Sequence, residues 1–319
     1  MGMTRGTRAR ARTFAALTAA VAVTLLSIVG APSAAAISDY PGASAGSTYD
    51  NAFHIGLELP PSLYTDRFVP QGLALWNNWA GSTEDVFLVT AYDDDDGNGD
   101  TDGDSVIYGV SATTGLSVGR TMIMEGHVDG IAVVGSWVFV VSGTELRTYS
   151  TSSLRARLVD GSYSDYMGMN HFRYLSHDGN FASAYGGDLY IGDFKTSGSP
   201  KMYRYDVSTS GAAASSSASY PVPLKTQGLA ITSSHFYFST SYGRGNLSTI
   251  YVQRRTESLS AAYHFSAPSM TEGLAIWGNE ANADRLYVVF ESAAYTYRDS
   301  RNPIKNLHWS YVSTLAAWA

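Results

Sequence analysis

Past its first forty residues the chain breaks into short apolar runs separated by glycine, serine and asparagine. After Asp129 come residues 131–134, a Gly135-Ser136 turn, residues 137–141, a second turn at Ser142-Gly143, and residues 146–149. After Gln227 the order repeats as 229–231, 236–239, the Gly243-Arg244-Gly245-Asn246 turn and 250–252. The same reading gives strands at 189–191 and 202–205, and at 286–290 and 294–297. The runs are rich in β-branched and aromatic residues, which fit a pleated surface buried on both sides. Beyond residue 36 no 12-residue stretch carries helical periodicity, and the small, serine-rich 212–218 segment reads as a loop.

One phrase heads each unit. Gln71-Gly72-Leu73-Ala74, Asp129-Gly130-Ile131-Ala132, Gln227-Gly228-Leu229-Ala230 and Glu272-Gly273-Leu274-Ala275 are close copies, and Asp178-Gly179-Asn180-Phe181 is a weaker one. Three or four short strands behind an anchor that returns every 45 to 58 residues form a propeller blade. The expected fold is all-β, a five-bladed β-propeller of antiparallel sheets around a central channel. A large sandwich accounts for the strands but gives no reason for a phase-locked anchor. Residues 52–59 are placed to close the ring as the outermost strand of the last blade, with 307–315 as the alternative.

Composition narrows the setting. The 319 residues carry a net charge of −7 and no cysteine, which leaves no general attraction to nucleic acid and no disulfide framework. Arg5, Arg8, Arg10 and Arg12 precede an apolar run at 14–29 and the small-residue stretch Ala34-Ala35-Ala36. Residues 1–36 therefore read as a signal peptide and 37–319 as one propeller domain. The leader resembles those of high-GC Gram-positive bacteria. It implies a secreted, extracellular or cell-surface monomer with no transmembrane anchor after cleavage.

The first strand of each blade lines the channel, so the anchors Gln71, Asp129, Asp178, Gln227 and Glu272 are expected to converge at its mouth. Arg67, His127, His171, His177 and Thr226 follow as sequence neighbours. Glu272 with Glu291, at the end of the 286–290 run, or with His127, makes a candidate acid/base pair. The plainer role for the anchors is to hydrogen-bond exposed backbone at the hub. Trp79, in the Asn77-Asn78-Trp79 loop, is the aromatic expected on a ligand face. The acidic run from 93 to 104 holds seven aspartates among glycines. Asp96, Asn98, Asp100, Asp102 and Asp104 are its candidate calcium ligands. An ordinary EF-hand is excluded, because its twelfth position is Gly109 and its flanks are strands. The seven histidines lie too far apart in sequence for a local zinc motif.

Thr226-Gln227-Gly228-Leu229 with the later Tyr237-Phe238-Ser239-Thr240-Ser241-Tyr242-Gly243-Arg244 resembles a blade signature of the propeller-type glutaminyl cyclotransferases. Thr271-Glu272-Gly273-Leu274 resembles a second phrase of that family. The resemblance implies five blades and a pocket at the channel mouth. The family reads Tyr-Glu-Ser-Thr where this chain has Tyr237-Phe238-Ser239-Thr240, so the family's proton-transfer glutamate is replaced by Phe238. Glu291, in Phe290-Glu291-Ser292, is the candidate to act from another blade. Three function classes stay open. The leading one is a secreted propeller that binds a small polar ligand, a saccharide or a peptide terminus, with calcium as stabiliser. The others are an extracellular cyclotransferase, lyase or glycoside-directed enzyme, and a surface interaction scaffold.

Overall fold

The computed structural model describes residues 40–319, apart from 66, 80, 82, 95–98, 100, 102, 162–165, 280 and 281; side chains are also left undescribed at 215–217, 279 and 282. Residues 1–36, read as the signal peptide, lie outside that set. The chain enters through a short helix α1 (Ser47–Ala52), the strand β1 (His54–Glu58) and a helical turn α2 (Ser62–Thr65). Five antiparallel sheets follow.

Blade 1 is β2 (Phe68–Trp76), β3 (Val86–Asp93), β4 (Ser105–Ser111) and β5 (Ser117–Ile123). Blade 2 pairs β6 (Gly130–Val134) with the extended segment β7 (Trp137–Ser150), which pairs with β8 (His171–Gly179) after a helix α3 (Thr151–Asp160). Blade 3 is β9 (Phe181–Tyr185), β10 (Asp188–Gly192), β11 (Lys201–Val207) and β12 (Ala213–Pro221). Blade 4 is β13 (Thr226–Ile231), β14 (His235–Thr240), β15 (Ser248–Arg254) and β16 (Tyr263–Ala267). Blade 5 is β17 (Thr271–Asn279), β18 (Asn282–Phe290) and β19 (Asn306–Tyr311), with β1 as its fourth strand, and a short helix α4 (Val312–Ala316) ends the fold.

The N-terminal strand thus closes the ring on the last blade, pairing His54 with Trp309 and Ile55 with His308. Residues 307–315 supply the third strand and the last helix instead. In blade 2, β7 is too long for one straight strand, since 14 residues would span about 46 Å. The backbone N–H of Thr151 donates to the carbonyl of Ser136 at 2.9 Å. The segment therefore doubles back near Gly143, whose φ is 54°. Blade 2 is a four-stranded blade like the others, with the turn at Ser142-Gly143 that the sequence suggests.

Strands buried on both faces explain the continuous apolar runs. In β2, Leu73 packs toward blade 5 and Ala74 toward blade 2, and each further residue alternates. The core is accordingly five apolar clusters, one between each pair of neighbouring blades. The inner strands approach at the anchor glycines. A Cβ at Gly72 would lie 2.8 Å from Ile131 N, at Gly130 it would overlap Ala182 N, at Gly228 the Glu272 carbonyl, and at Gly273 Leu73 N. Blade 3 solves the same contact differently. Phe181 stands at that position, packed between blades 3 and 4, and its pairing partner Gly192 leaves room for the ring.

Three local expectations are corrected. Residues 212–218 are not a loop: from Ala213 on they run in β12, which pairs with β11 at the blade's edge. Residues 294–297 are not a strand, because Tyr295–Tyr297 forms a 3-10 turn and Asn306–Tyr311 takes the third position. Helix α3, not expected from the sequence, shows no apolar periodicity because only Leu154 and Leu158 are buried on it. It is defined by its caps, Ser150 accepting from Ser153 N and Gly161 in the left-handed region.

The close approach makes a direct prediction. Gly273→Ala is expected to lose about 1–3 kcal/mol in chemical denaturation, as overpacked cores do. Gly245→Ala, at an exposed turn with nothing within 4 Å, is expected to stay within about 0.5 kcal/mol of the parent.

Candidate functional site

The anchors lie at one end of the channel, and local backbone irregularity aims them there. Pairing slips between Pro70 and Leu73, between Thr226 and Gly228, and between Thr271 and Leu274. These bulges hold Gln71, Gln227 and Glu272, and a bulge redirects a side chain away from the sheet's regular alternation. Just before them the chain takes positive φ at Arg67, Lys225 and Met270. Their carbonyls accept from the N–H of Asp94, Ser241 and Glu291, which end the second strands of their blades. Glu291 is thus the blade 5 counterpart of Asp94 and Ser241. Blade 2 differs: Val128, a β-branched residue at φ 50°, precedes Asp129 directly and is a strained conformation.

Four side chains from blades 1, 4 and 5 interlock. Gln71 Nε2 donates to Glu291 Oε2 at 2.7 Å, and Gln227 Nε2 donates to Glu272 Oε1 at 3.3 Å. The two carboxyls lie close enough to influence each other's ionisation. Glu272 is 1% exposed and Glu291 is 9% exposed. Burial, then the charge of Glu291, drives the Glu272 carboxyl well above its ordinary value. Burial also raises Glu291, to about 7, against the opposing pull of His127, Gln71 and Glu272. Both carboxyls are thus pushed toward the protonated form by their common burial. His127 Nδ1 lies 2.9 Å from Asp129 Oδ1, and its ring stacks on Tyr92 at 4.3 Å. The Tyr92 and Tyr297 hydroxyls meet at 3.3 Å, and both phenols are pushed up by burial and then by the Glu291 charge.

Beside the carboxyl pair an open depression of about 340 Å³ is lined by His127, Asp129, Gly143, Asn180, Phe194 and Gln227. The channel proper, a cavity of about 300 Å³, runs between the five inner strands and is lined by residues such as Leu73, Ile131, Ala184, Ala230 and Leu274.

Gln71, Asp129, Gln227, Glu272, Glu291 and His127 are therefore brought together. Asp178 is not. It ends β8, the outer part of blade 2, and faces a separate cavity. The blade 3 residue that faces the mouth is Asn180, whose Oδ1 accepts from Phe194 N at 2.9 Å. Phe181 replaces the expected glycine, so a search keyed on Gly179 falls two residues early. Trp79 is not at the mouth either: it follows the far end of β2, is 8% exposed, and packs edge-on against Trp76. Phe238 is fully buried, packed between blades 3 and 4. Of the calcium candidates, Asp96, Asn98, Asp100 and Asp102 lie outside the described residues, and the Asp104 carboxylate accepts from the Tyr166 hydroxyl. Among the described residues no cluster of three or more His, Cys, Asp or Glu is arranged to hold a metal, and no helix is long and apolar enough to cross a membrane.

In sequence the chain matches no protein-family model and no curated protein. In structure it superposes on the glutaminyl cyclase of Myxococcus xanthus with a TM-score of 0.50 at 12% identity, covering 82% of this chain and 97% of that one. The likeness is one of fold. The β-propeller domain of Cps50 (Swd1) from Myceliophteria thermophila aligns with a TM-score of 0.36 at 10% identity, over 75% of this chain and 65% of that one.

Because both glutamates bind protons more tightly folded than unfolded, they favour folding below pH about 4.5, and that advantage is lost as pH rises through about 7. Glu272→Gln and Glu291→Gln should each raise the melting temperature at pH 8 and leave it nearly unchanged at pH 4, as read by thermal unfolding.

Proposed function

We propose that the channel mouth binds the amino-terminal end of a small peptide, and that the Glu272–Glu291 pair moves a proton to and from it. The observation that supports this reading is the pair itself: two buried carboxyls, both pushed up toward the protonated form, beside an open depression. Such an arrangement costs folding stability above neutral pH, and perturbed acids of this kind concentrate at functional sites. A ligand ammonium entering the depression meets the Asp129 carboxylate, and no lysine or arginine is among the lining residues.

The pair suits acid–base chemistry at neutral pH. Glu291 takes a proton from the ligand's ammonium, leaving a neutral amine able to attack a carbonyl carbon. Glu272 supplies the proton for the departing group. With an amino-terminal glutamine, the α-nitrogen attacks the side-chain amide carbon, a C–N bond closes the lactam, the bond to the amide nitrogen breaks, and ammonia leaves with the Glu272 proton, while the α-nitrogen gives its second proton back to Glu272. This reaction is the first to assay, given the fold shared with a glutaminyl cyclase. A binding-only reading is favoured by one observation: Gln71 and Gln227 cap the two carboxyls and hold them still.

The leader sequence supports export, and the seven aspartates of the 93–104 segment support calcium as a stabiliser of that loop.

Glu291→Gln is expected to keep the native circular dichroism and to reduce ammonia release from glutaminyl peptides by about 10²-fold or more. Peptide binding with no turnover in the parent protein would select the binding-only reading, and undiminished turnover in the variant would overturn the assignment of Glu291. In calorimetry, calcium is expected to bind the parent chain and to lose affinity in an Asp100→Ala, Asp102→Ala double variant.

A further inference from the structure

The cavity that receives Asp178 adjoins the mouth. It measures about 440 Å³, and its lining includes Thr144, His177, Asp178, Asp193, Lys195 and Tyr203. Its wall is shared with the mouth depression through consecutive residues. Gly143 faces the mouth and Thr144 the second cavity, while Phe194 faces the mouth between Asp193 and Lys195. Neighbouring Cα atoms lie about 3.8 Å apart, so the two spaces are within one or two residues' reach of an extended chain.

The second cavity is built on fixed groups. Asp193 is 3% exposed, its Oδ2 lies 3.0 Å from Lys195 Nζ, and its Oδ1, with no hydrogen bond, lies 3.4 Å from His177 Nδ1. Lys195 is nearly half exposed, so part of its ammonium faces outward while the buried carboxylate holds it in place. That hydrogen bond also raises the Lys195 ammonium above its ordinary value. His177 is clamped from three sides: Nε2 lies 2.7 Å from the Tyr205 hydroxyl, Nδ1 lies 2.7 Å from the Asp178 carbonyl, and the ring stacks on Tyr203 at 4.0 Å. The Asp178 carboxylate stands at the exposed edge.

A free anion here would face Asp178 and Asp193, and a free cation would face Lys195. The group that suits both is neutral, with one acceptor for the Lys195 ammonium and one donor for the Asp178 carboxylate. A peptide unit carries that complement. We infer that this cavity is a second subsite, which holds the peptide group following the amino-terminal residue seated at the mouth. Phe194, 6.2 Å from Tyr242, forms the aromatic ridge between the two. The inference rests on the mouth reading and adds a preference for chains longer than one residue.

Calorimetry on the full chain with L-alaninamide and L-alanyl-L-alaninamide tests it, since neither probe can cyclise through a glutamine side chain. The longer probe is expected to bind about tenfold tighter. Lys195→Ala should erase that gain and leave L-alaninamide affinity unchanged. Because Lys195→Ala strips a buried carboxylate of its partner, Asp178→Ala serves as the second variant and should erase the same gain. Equal affinities for the two probes in the parent, or variants that weaken both probes alike, would overturn the subsite while leaving the mouth assignment standing. Failure of both probes to bind overturns the mouth reading and the subsite together. Binding of methyl α-D-glucopyranoside that is lost in Asp178→Ala, with no gain from the second alanine, would replace the peptide with a saccharide.

Discussion

Four glycines bring the inner strands of this ring so close that no side chain fits between one strand and the next blade. Gly72, Gly130, Gly228 and Gly273 each face the backbone of the following blade, and Phe181 takes the fifth place only because Gly192 gives way to its ring. That contact sets the diameter of the hub. It also fixes the residue before each glycine at the channel's end, and bulges at three of the five blades turn those side chains inward. Hydroxyls add cross-blade links: Thr90 Oγ1 donates to the Val128 carbonyl at 2.8 Å, and Ser239 Oγ to that of Glu272 at 2.5 Å.

The mouth stores unfavourable energy that the rest of the ring sustains. Two glutamates are buried within hydrogen-bonding reach, and one residue before Asp129 a valine is held in the left-handed region. Five apolar clusters, one per blade junction, supply the compensating stability in a chain with no disulfide. The carboxyls are satisfied by amides, Gln71 on one side and Gln227 on the other, so the polar network at the hub is closed within the protein. Gln71 and Gln227 are hub hydrogen-bond donors, and burial holds the Glu272 carboxyl well above its ordinary value.

What the mouth lacked in sequence was any local mark of blade register. Asn180 was hidden because Phe181 broke the glycine pattern, and Asp178 two residues earlier looked like the anchor. Tyr92 and Tyr297, which surround Glu291, sit 205 positions apart, and only ring closure brings their hydroxyls to 3.3 Å. Trp79 looked exposed in its loop, yet the loop folds back on Trp76. Asp94 belonged visually to the acidic run, but it is buried at the end of β3 and accepts from Gly99 N, a strand-end role rather than a loop one.

The sequence by itself determined the number of blades, because each blade must bury both faces and pack its inner strand through the same small residue. That requirement recurs locally and leaves a readable period, including the terminal strand that closes the ring. Tertiary structure alone decided which polar residues meet, since the raised carboxyls of Glu272 and Glu291 depend on their common burial and sit against amides that arrive from blades 1 and 4. Such contacts depend on distance in space, to which spacing along the chain is blind.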